Sequence, residues 1–218
     1  MRVLSPSEIG VSRRHRFARA VPVAGWAVTG AAVGVLAKLG DLAGSWWGDA
    51  GTYPAVWVIP IAILARTSRG PGQAALRAAV FFVPMTVAYY AWAQVILGFG
   101  YTRDLVVWLV LAAAVVPPFA AVVRWGREGC DALAAGTAAL LAALSFSGGA
   151  LHRVWLAATG SLPSDATRPV QAALEVVVAV GVVLWLPRTR RARTWAALAL
   201  VPVTLSVLQA IWALSIPV

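Results

Sequence analysis

Two acidic side chains, Asp41 and Glu175, lie in or beside long apolar stretches of this sequence, where a carboxylate is costly. Lys38 and His152 are basic groups that such a carboxylate could meet. In the hydrocarbon region these residue types pair with one another or line a path for a solute or a proton. Glu175 could therefore exchange a proton, and either acid could serve as a general acid on a lipid-soluble substrate.

The composition indicates what kind of secondary structure positions these groups. Of the 218 residues 61% are hydrophobic and 12% are charged, and the mean hydropathy is +0.80. A soluble globular domain carries about a quarter charged residues, and a disordered chain is poor in apolar ones, so both classes are excluded. A single cysteine excludes an internal disulfide and a cysteine-based zinc cluster. We expect an all-α polytopic bundle of transmembrane helices, without a metal or a cofactor.

Seven apolar segments are candidates for membrane-spanning helices, since a helix needs about 20 apolar residues to cross the hydrocarbon. They cover residues 21–39, 53–65, 74–99, 105–123, 132–158, 169–186 and 194–216. Residues 21–218 then form a single transmembrane domain, and residues 1–20 form a basic cytoplasmic tail. A charged region before an apolar run is also typical of a signal peptide, but this run is long enough to span and further spans come after it.

The arginines are distributed unevenly between the two sides of such a chain. With seven spans, fourteen arginines fall on the side of the amino terminus and three on the other side. The fourteen are Arg2, Arg13, Arg14, Arg16, Arg19, Arg66, Arg69, Arg77, Arg124, Arg127, Arg188, Arg190, Arg191 and Arg193. By the positive-inside rule the amino terminus is cytoplasmic and Val218 lies outside, which predicts a multi-pass protein of the cell inner membrane. The same rule accounts for the net charge of +10 without a nucleic-acid partner.

In this topology the polar side chains of the spans fall in the outer half of the bundle. The candidate ligand-binding residues are Lys38, Asp41, Tyr89, Tyr90, Trp92, His152, Arg153 and Glu175. We expect Lys38 and Arg153 to hold an anionic group and Glu175 to hold a cation or a proton. The aromatic rings would pack on an apolar body. The layer therefore predicts an outward-facing pocket or a buried polar network.

Helical spacing places a stripe of small and charged residues on one face of the first span. Its members are Gly30, Gly34, Lys38 and Asp41. A Gly-xxx-Gly pair permits two membrane helices to approach closely, so this face should meet another helix. A similar stripe on the fifth span consists of Ser145, Gly149 and His152.

Each candidate also has a purely structural explanation. Lys38 could extend its ammonium group to the interface and pair with Asp41. Glu175 could form an ion pair with Lys38 or Arg153, and His152 could be a hydrogen-bonded residue near a helix end. The polar layer would then hold the bundle together without binding a ligand.

Short stretches of the first half resemble small multi-spanning membrane proteins of GC-rich bacteria, whose activity is unassigned. They are GVLAKLGD (34–41), Trp57, ARTSR (65–69), QAALR (73–77) and AYYAW (88–92). The resemblance implies a membrane bundle and adds no catalytic residue. The size and the seven spans are also similar to membrane-integral terpene cyclases, which use one early acid and one acid in the last helix. Residues 194–216 hold no acid, so this sequence departs from that pattern.

Three functions are consistent with these observations. The leading one is a membrane protein that binds a small solute in the polar pocket. In an extended version of this function, the protein also transports the solute. The second is a membrane-embedded enzyme that uses Glu175 or Asp41 on a terpenoid-like substrate. The third is a structural or assembly subunit of a membrane complex. The expected partners are membrane lipid, a small molecule and a second membrane protein.

Overall fold

The structure, a computed structural model, describes residues 6–43, 53–98, 100, 102–163 and 167–215. Every regular element in these residues is a helix, which confirms the all-α fold. The α-helices are α1 (Pro6–Leu42), α2 (Pro54–Thr67), α3 (Pro71–Ala91), α4 (Thr102–Val110), α5 (Val116–Glu128), α6 (Asp131–Leu144), α7 (Ala150–Ala158), α8 (Pro169–Trp185) and α9 (Arg190–Ser215). Arg2 and Val218, which enter the predicted orientation of the chain, lie outside the described residues.

Five helical stretches of the described chain are long and apolar enough to cross a membrane. They are Val23–Leu42, Pro71–Ile96, Arg103–Glu128, Asp131–Gly148 and Arg190–Ile211. Two shorter apolar helices, α2 and α8, coincide with the second and sixth predicted segments. Both begin with proline, whose missing N–H is not needed in the first turn of a helix. Helix α1 begins at Pro6, so it also covers most of the segment predicted as a tail.

Two predicted spans continue through turns of π-helix. One such turn, Trp92–Ile96, extends α3, and the other, Leu111–Val115, joins α4 to α5. The second ends at Val115, and only Val116 separates it from Pro117 and Pro118, which lack the N–H groups that an α-helix would bond to carbonyls four residues back. The wider turn accommodates the proline pair without ending the span.

The fifth predicted span, 132–158, is not one continuous helix. After α6 the chain forms a 3-10 turn, Ser145–Gly148, and α7 starts as a separate helix at Ala150. Gly149 makes the break with a φ of 70°, a conformation that is open to glycine at little cost. The predicted stripe of Ser145, Gly149 and His152 therefore does not form one helical face, since the helix is interrupted in the middle of it.

The stripe predicted on the first span does face another helix. A Cβ atom added at Gly30 would overlap the backbone carbonyl of Phe81, and one added at Gly34 would overlap that of Met85. Helices α1 and α3 therefore touch backbone to backbone along this seam, as the Gly-xxx-Gly pair predicts. Lys38, further along the same face, is only 7% exposed.

The core lies around α2, a short apolar helix of 14 residues. One face of α2 is buried against α3, α5, α6 and α8 through Val58, Ile61, Leu64 and Ala65. Helix α9 packs along α6 and leaves its other faces exposed, as expected where lipid covers a helix.

Candidate functional site

Glu175 is completely buried and closes the break between α6 and α7. Its Oε1 accepts the N–H of Ala150 at 3.1 Å and its Oε2 accepts the N–H of Leu151 at 2.8 Å. The hydroxyl of Tyr53 also donates to Oε1. The first N–H groups of a helix have no acceptor within that helix, and the interior of a membrane bundle has no bulk water to replace one. Glu175 therefore caps α7 and joins α2, α7 and α8 at one point.

Helices α2 and α8 are fastened to each other at both ends. At the first end Tyr53 donates to Glu175, and its ring packs so closely that a Cβ at Gly148 would lie 2.7 Å from it. At the second end Nη1 of Arg66 donates to the carbonyl of Trp185, and the guanidinium carbon lies 4.3 Å from the centre of the indole ring. Contacts near both ends of α2 thus hold α8, and with it the Glu175 carboxylate, in place.

A groove of about 530 Å³ opens beside Glu175, between α7 and α9. Its polar groups are Glu175, His152 and Thr204, and the rest of the wall is apolar. The Thr204 hydroxyl is buried and has no hydrogen-bond partner within the described part of the chain. A buried hydroxyl without a partner is costly, so the polar atom of a ligand would be stabilised there. The apolar wall includes Phe146, Leu151, Trp155, Leu200, Leu205 and Leu208.

Lys38, Asp41 and Tyr89 form a second polar cluster where α1 meets α3. Nζ of Lys38 lies 3.6 Å from Oδ2 of Asp41, and the hydroxyl of Tyr89 donates to the same oxygen. The Lys38 ammonium also lies 4.9 Å from the centre of the Tyr89 ring. The adjoining cavity, of about 30 Å³, has room for only about one or two water molecules. The expected pairing of Asp41 with Lys38 is confirmed.

The end of α2 separates the two clusters. Tyr53, directly before α2, reaches Glu175. Trp57, one turn further along, lines the small cavity together with Tyr89 and Tyr90. The predicted polar layer is therefore divided between two cavities, and a ligand in the groove would not also touch Asp41.

The remaining candidates are placed less centrally. His152 lines the groove, whereas Arg153 is exposed and acts on Tyr53 through its charge. Trp92 is half-buried at the start of the π-helical turn after α3. Glu175 forms no ion pair within the described residues, so its predicted pairing with Lys38 or Arg153 is wrong. Backbone N–H groups and a tyrosine take that place.

Arginines at the other end of the bundle bind backbone carbonyls of neighbouring turns. Nη2 of Arg124 donates to the carbonyl of Arg69 at 3.1 Å, and Nε of Arg127 donates to that of Leu186 at 2.8 Å. With the bond from Arg66 to α8, these contacts bring together the turns that come after α2, α5 and α8. Each acceptor lies at or just beyond the end of a helix, where carbonyls lack partners within the helix.

Sequence reasoning did not find Tyr53, Thr204 or these carbonyl contacts. The pair Gly148-Gly149 within an apolar run is a local signal for the helix break. Tyr53 and Glu175 lie 122 residues apart, and no local pattern connects them. No local pattern distinguishes Thr204 from other small residues of a membrane helix, and its position in the groove wall is seen only in the structure.

Several long apolar helices, buried polar clusters and a groove in the helical wall define a multi-pass helical membrane protein. Within this class the chain belongs to the family of unknown function DUF6518, whose family model matches residues 13–216. No curated protein and no solved structure matches the chain. The function must therefore be argued from the site itself.

Proposed function

We propose that the chain crosses the inner membrane seven times, with the arginine-rich end in the cytoplasm and the carboxyl terminus outside. The contacts of Arg66, Arg124 and Arg127 support this topology, because they join three predicted cytoplasmic turns at one end of the bundle. The Tyr53–Glu175 contact lies at the other end of α2, which is the outer end in this topology. The groove beside Glu175 then lies in the outer half.

In this groove, we propose, the protein binds a small molecule with an apolar body and one hydrogen-bonding group. The observation that carries the proposal is an apolar groove of about 530 Å³ with a buried, unpaired hydroxyl of Thr204 in its wall. Binding sites for small molecules are typically mostly apolar cavities of this size with a few polar groups that fix orientation. His152 is the other polar group within reach of a ligand, because Glu175 borders the groove but is completely buried.

The chemistry of the wall favours an apolar ligand over the charged solute expected from the sequence. Lys38, which was to hold an anion, belongs to the other cluster, and the small cavity there has no room for a solute. A molecule that enters from the lipid, such as a fatty alcohol or an isoprenoid, fits the groove better. Transport would need a path beyond the groove, so binding is the function that we propose.

A second candidate is a membrane-embedded enzyme, and one observation favours it: Glu175 forms part of the groove wall. A general acid must lie within hydrogen-bond reach of its substrate. Both oxygens of Glu175 already accept hydrogen bonds from the protein, so a substrate would compete with Tyr53 and the backbone of α7. Mass spectrometry of a lipid extract before and after incubation with the protein separates the two functions, because only an enzyme creates a new species.

The binding proposal is tested by filling the groove. Leu205 and Leu198 lie on α9 with side chains 63% and 64% exposed, but only Leu205 lines the groove. We expect Leu205→Trp to weaken binding of a pyrene-labelled fatty alcohol by more than about tenfold, and the matched control Leu198→Trp to leave binding unchanged. Thr204→Val should weaken it by roughly two- to tenfold, the contribution of one hydrogen bond. Equal binding by the two tryptophan variants would contradict the proposal.

A further inference from the structure

A cluster of arginines lies around Arg127, at the end of the bundle opposite the groove. The charges of Arg66, Arg124 and Arg188 all act on Arg127. Glu128 is the acidic residue that acts on it there, and it is shared: its Oε1 bonds Nη2 of Arg124 and lies 3.9 Å from Nη2 of Arg188. Four guanidinium groups thus surround Glu128, and Asp131 is a second carboxylate at the adjoining cavity, so positive charge remains in excess.

Arg124 has buried hydrogen-bond donors for which this cluster provides no acceptor. Its side chain is 5% exposed, and Nη2 donates to Glu128 and to the carbonyl of Arg69. Its Nε and Nη1 are buried and have no hydrogen-bond partner in the part of the chain that the structure describes. Buried donors are nearly always paired in native proteins, and an unpaired set indicates an acceptor that is still to be supplied.

A cavity of about 100 Å³ adjoins the cluster, between the α5–α6 turn and the α8–α9 turn. Arg127, Arg188, Glu128, Asp131 and Thr189 line it. This volume is about three times that of the cavity beside Tyr89 and has room for several water molecules, enough for a tetrahedral oxyanion.

Two helices begin beside this cavity. Asp131 is the first residue of α6, and Thr189 precedes α9 and accepts the N–H of Ala192 at 3.0 Å. Asp131 accepts the hydroxyl of Thr189 at 2.6 Å, so its carboxylate is already engaged. The positive ends of two helix dipoles therefore add to the field of the arginines, and both favour an anion.

We propose that this cavity binds a phosphate group, either the phosphate of a lipid headgroup or free inorganic phosphate. Arg188 and the terminal nitrogens of Arg127 donate to the phosphate oxygens. The phosphate displaces the Glu128 carboxylate from its position between Arg188 and Arg124. Arg124 does not line the cavity itself, so its guanidinium meets the phosphate only once Glu128 has moved. The site is separate from the groove and does not depend on what the groove binds.

The test uses the full-length protein in a neutral, phosphate-free detergent at high ionic strength, where exposed charges are screened. Three probes are titrated: dioctanoyl phosphatidylglycerol, dioctanoylglycerol, which lacks the phosphate, and inorganic phosphate. Binding of the phosphatidylglycerol but not of dioctanoylglycerol identifies a headgroup site. Binding of inorganic phosphate without an added gain from the lipid chains identifies a site for the free ion.

Matched variants show whether the cavity is responsible. Arg188→Gln removes a lining cation and should weaken binding of the phosphate-bearing probe about tenfold, the effect of a charge-assisted hydrogen bond. Arg191→Gln removes the same charge from an exposed position three residues further on, outside the lining, and should leave the affinity nearly unchanged. Glu128→Gln removes the competing carboxylate and should tighten binding severalfold.

Two results would overturn this assignment. In the first, neither phosphate-bearing probe binds, or dioctanoylglycerol binds as tightly as phosphatidylglycerol. In the second, Arg188→Gln and Arg191→Gln weaken binding equally, as for a diffuse surface charge, or Glu128→Gln fails to tighten it.

Discussion

Asp41 and Glu175 are both acids of predicted membrane segments, yet their surroundings differ in kind. Asp41 lies near the end of α1, where its partners are the side chains of Lys38 and Tyr89. Glu175 is fully buried, and two of its three donors are backbone N–H groups at the start of α7. Side-chain partners can turn towards the interface when a bond is lost, whereas the first N–H groups of a buried helix cannot.

The difference indicates that the two carboxylates have different importance for the fold. The Asp41 cluster lies on a seam that α1 and α3 already form by close contact at Gly30 and Gly34. At the Glu175 cluster the close contact is between the Tyr53 ring and Gly148 rather than between two helix backbones, and Gly149 interrupts the helix just where the carboxylate binds. We therefore expect the region around Glu175 to depend on its polar contacts and the region around Asp41 to depend on packing.

Removal of the Glu175 carboxylate should have the largest effect. Glu175→Ala leaves two N–H groups and the hydroxyl of Tyr53 without an acceptor, and should lower the free energy of unfolding by about 2–4 kcal/mol. Glu175→Gln keeps one acceptor oxygen and should lower it by less. Equilibrium unfolding in mixed detergent micelles, followed by the fluorescence of the 11 tryptophans, measures both. If the alanine variant is as stable as the parent, the carboxylate is not the cap of α7.

A methyl group on the α1–α3 seam should have the next largest effect. Gly34→Ala forces a Cβ against the carbonyl of Met85, and we expect a loss of about 1–3 kcal/mol in the same unfolding measurement. Gly25→Ala is the control on the same helix, because a Cβ there meets nothing within 4 Å. Equal effects of the two substitutions would show that the seam is not closely packed.

Loss of the Asp41 charge should have the smallest effect. Asp41→Asn retains an acceptor for Tyr89 and removes the ion pair, whose lysine can extend towards the interface, so we expect a loss of about 1 kcal/mol or less. The unfolding free energy is compared with that of Glu175→Gln, which makes the same chemical change. A larger loss at Asp41 than at Glu175 would reverse the comparison.

Local patterns in the sequence were enough to predict the helices and one of their contact faces. Apolar length located the helices, and the spacing of Gly30, Gly34, Lys38 and Asp41 predicted a face that contacts another helix. These features depend on residues a few positions apart. The same reasoning identified Glu175 as a candidate for proton exchange, but it did not identify the partners of Glu175.

The rest depended on contacts between distant parts of the chain. Tyr53 meets Glu175 only because α2 and α8 lie side by side, and the groove is lined by residues of three helices, α7, α8 and α9, that are distant in the sequence. Hydrophobicity cannot distinguish a straight span from a broken one, since both satisfy the bilayer. The arginines could be counted as a topological signal, but their bonds to helix-end carbonyls required the positions of three separate turns.

The most direct test concerns the side of the membrane on which each end of the bundle lies. Cys130, the single cysteine, is exposed in the α5–α6 turn at the arginine-rich end, and Ser161 is exposed after α7 at the other end. In spheroplasts, whose inner membrane is intact, a membrane-impermeant maleimide should label Cys130→Ser/Ser161→Cys and leave the parent protein unlabelled until the membrane is opened. Labelling of Cys130 with the membrane intact, and protection of the cysteine at position 161, would place the arginines outside and the groove in the wrong leaflet.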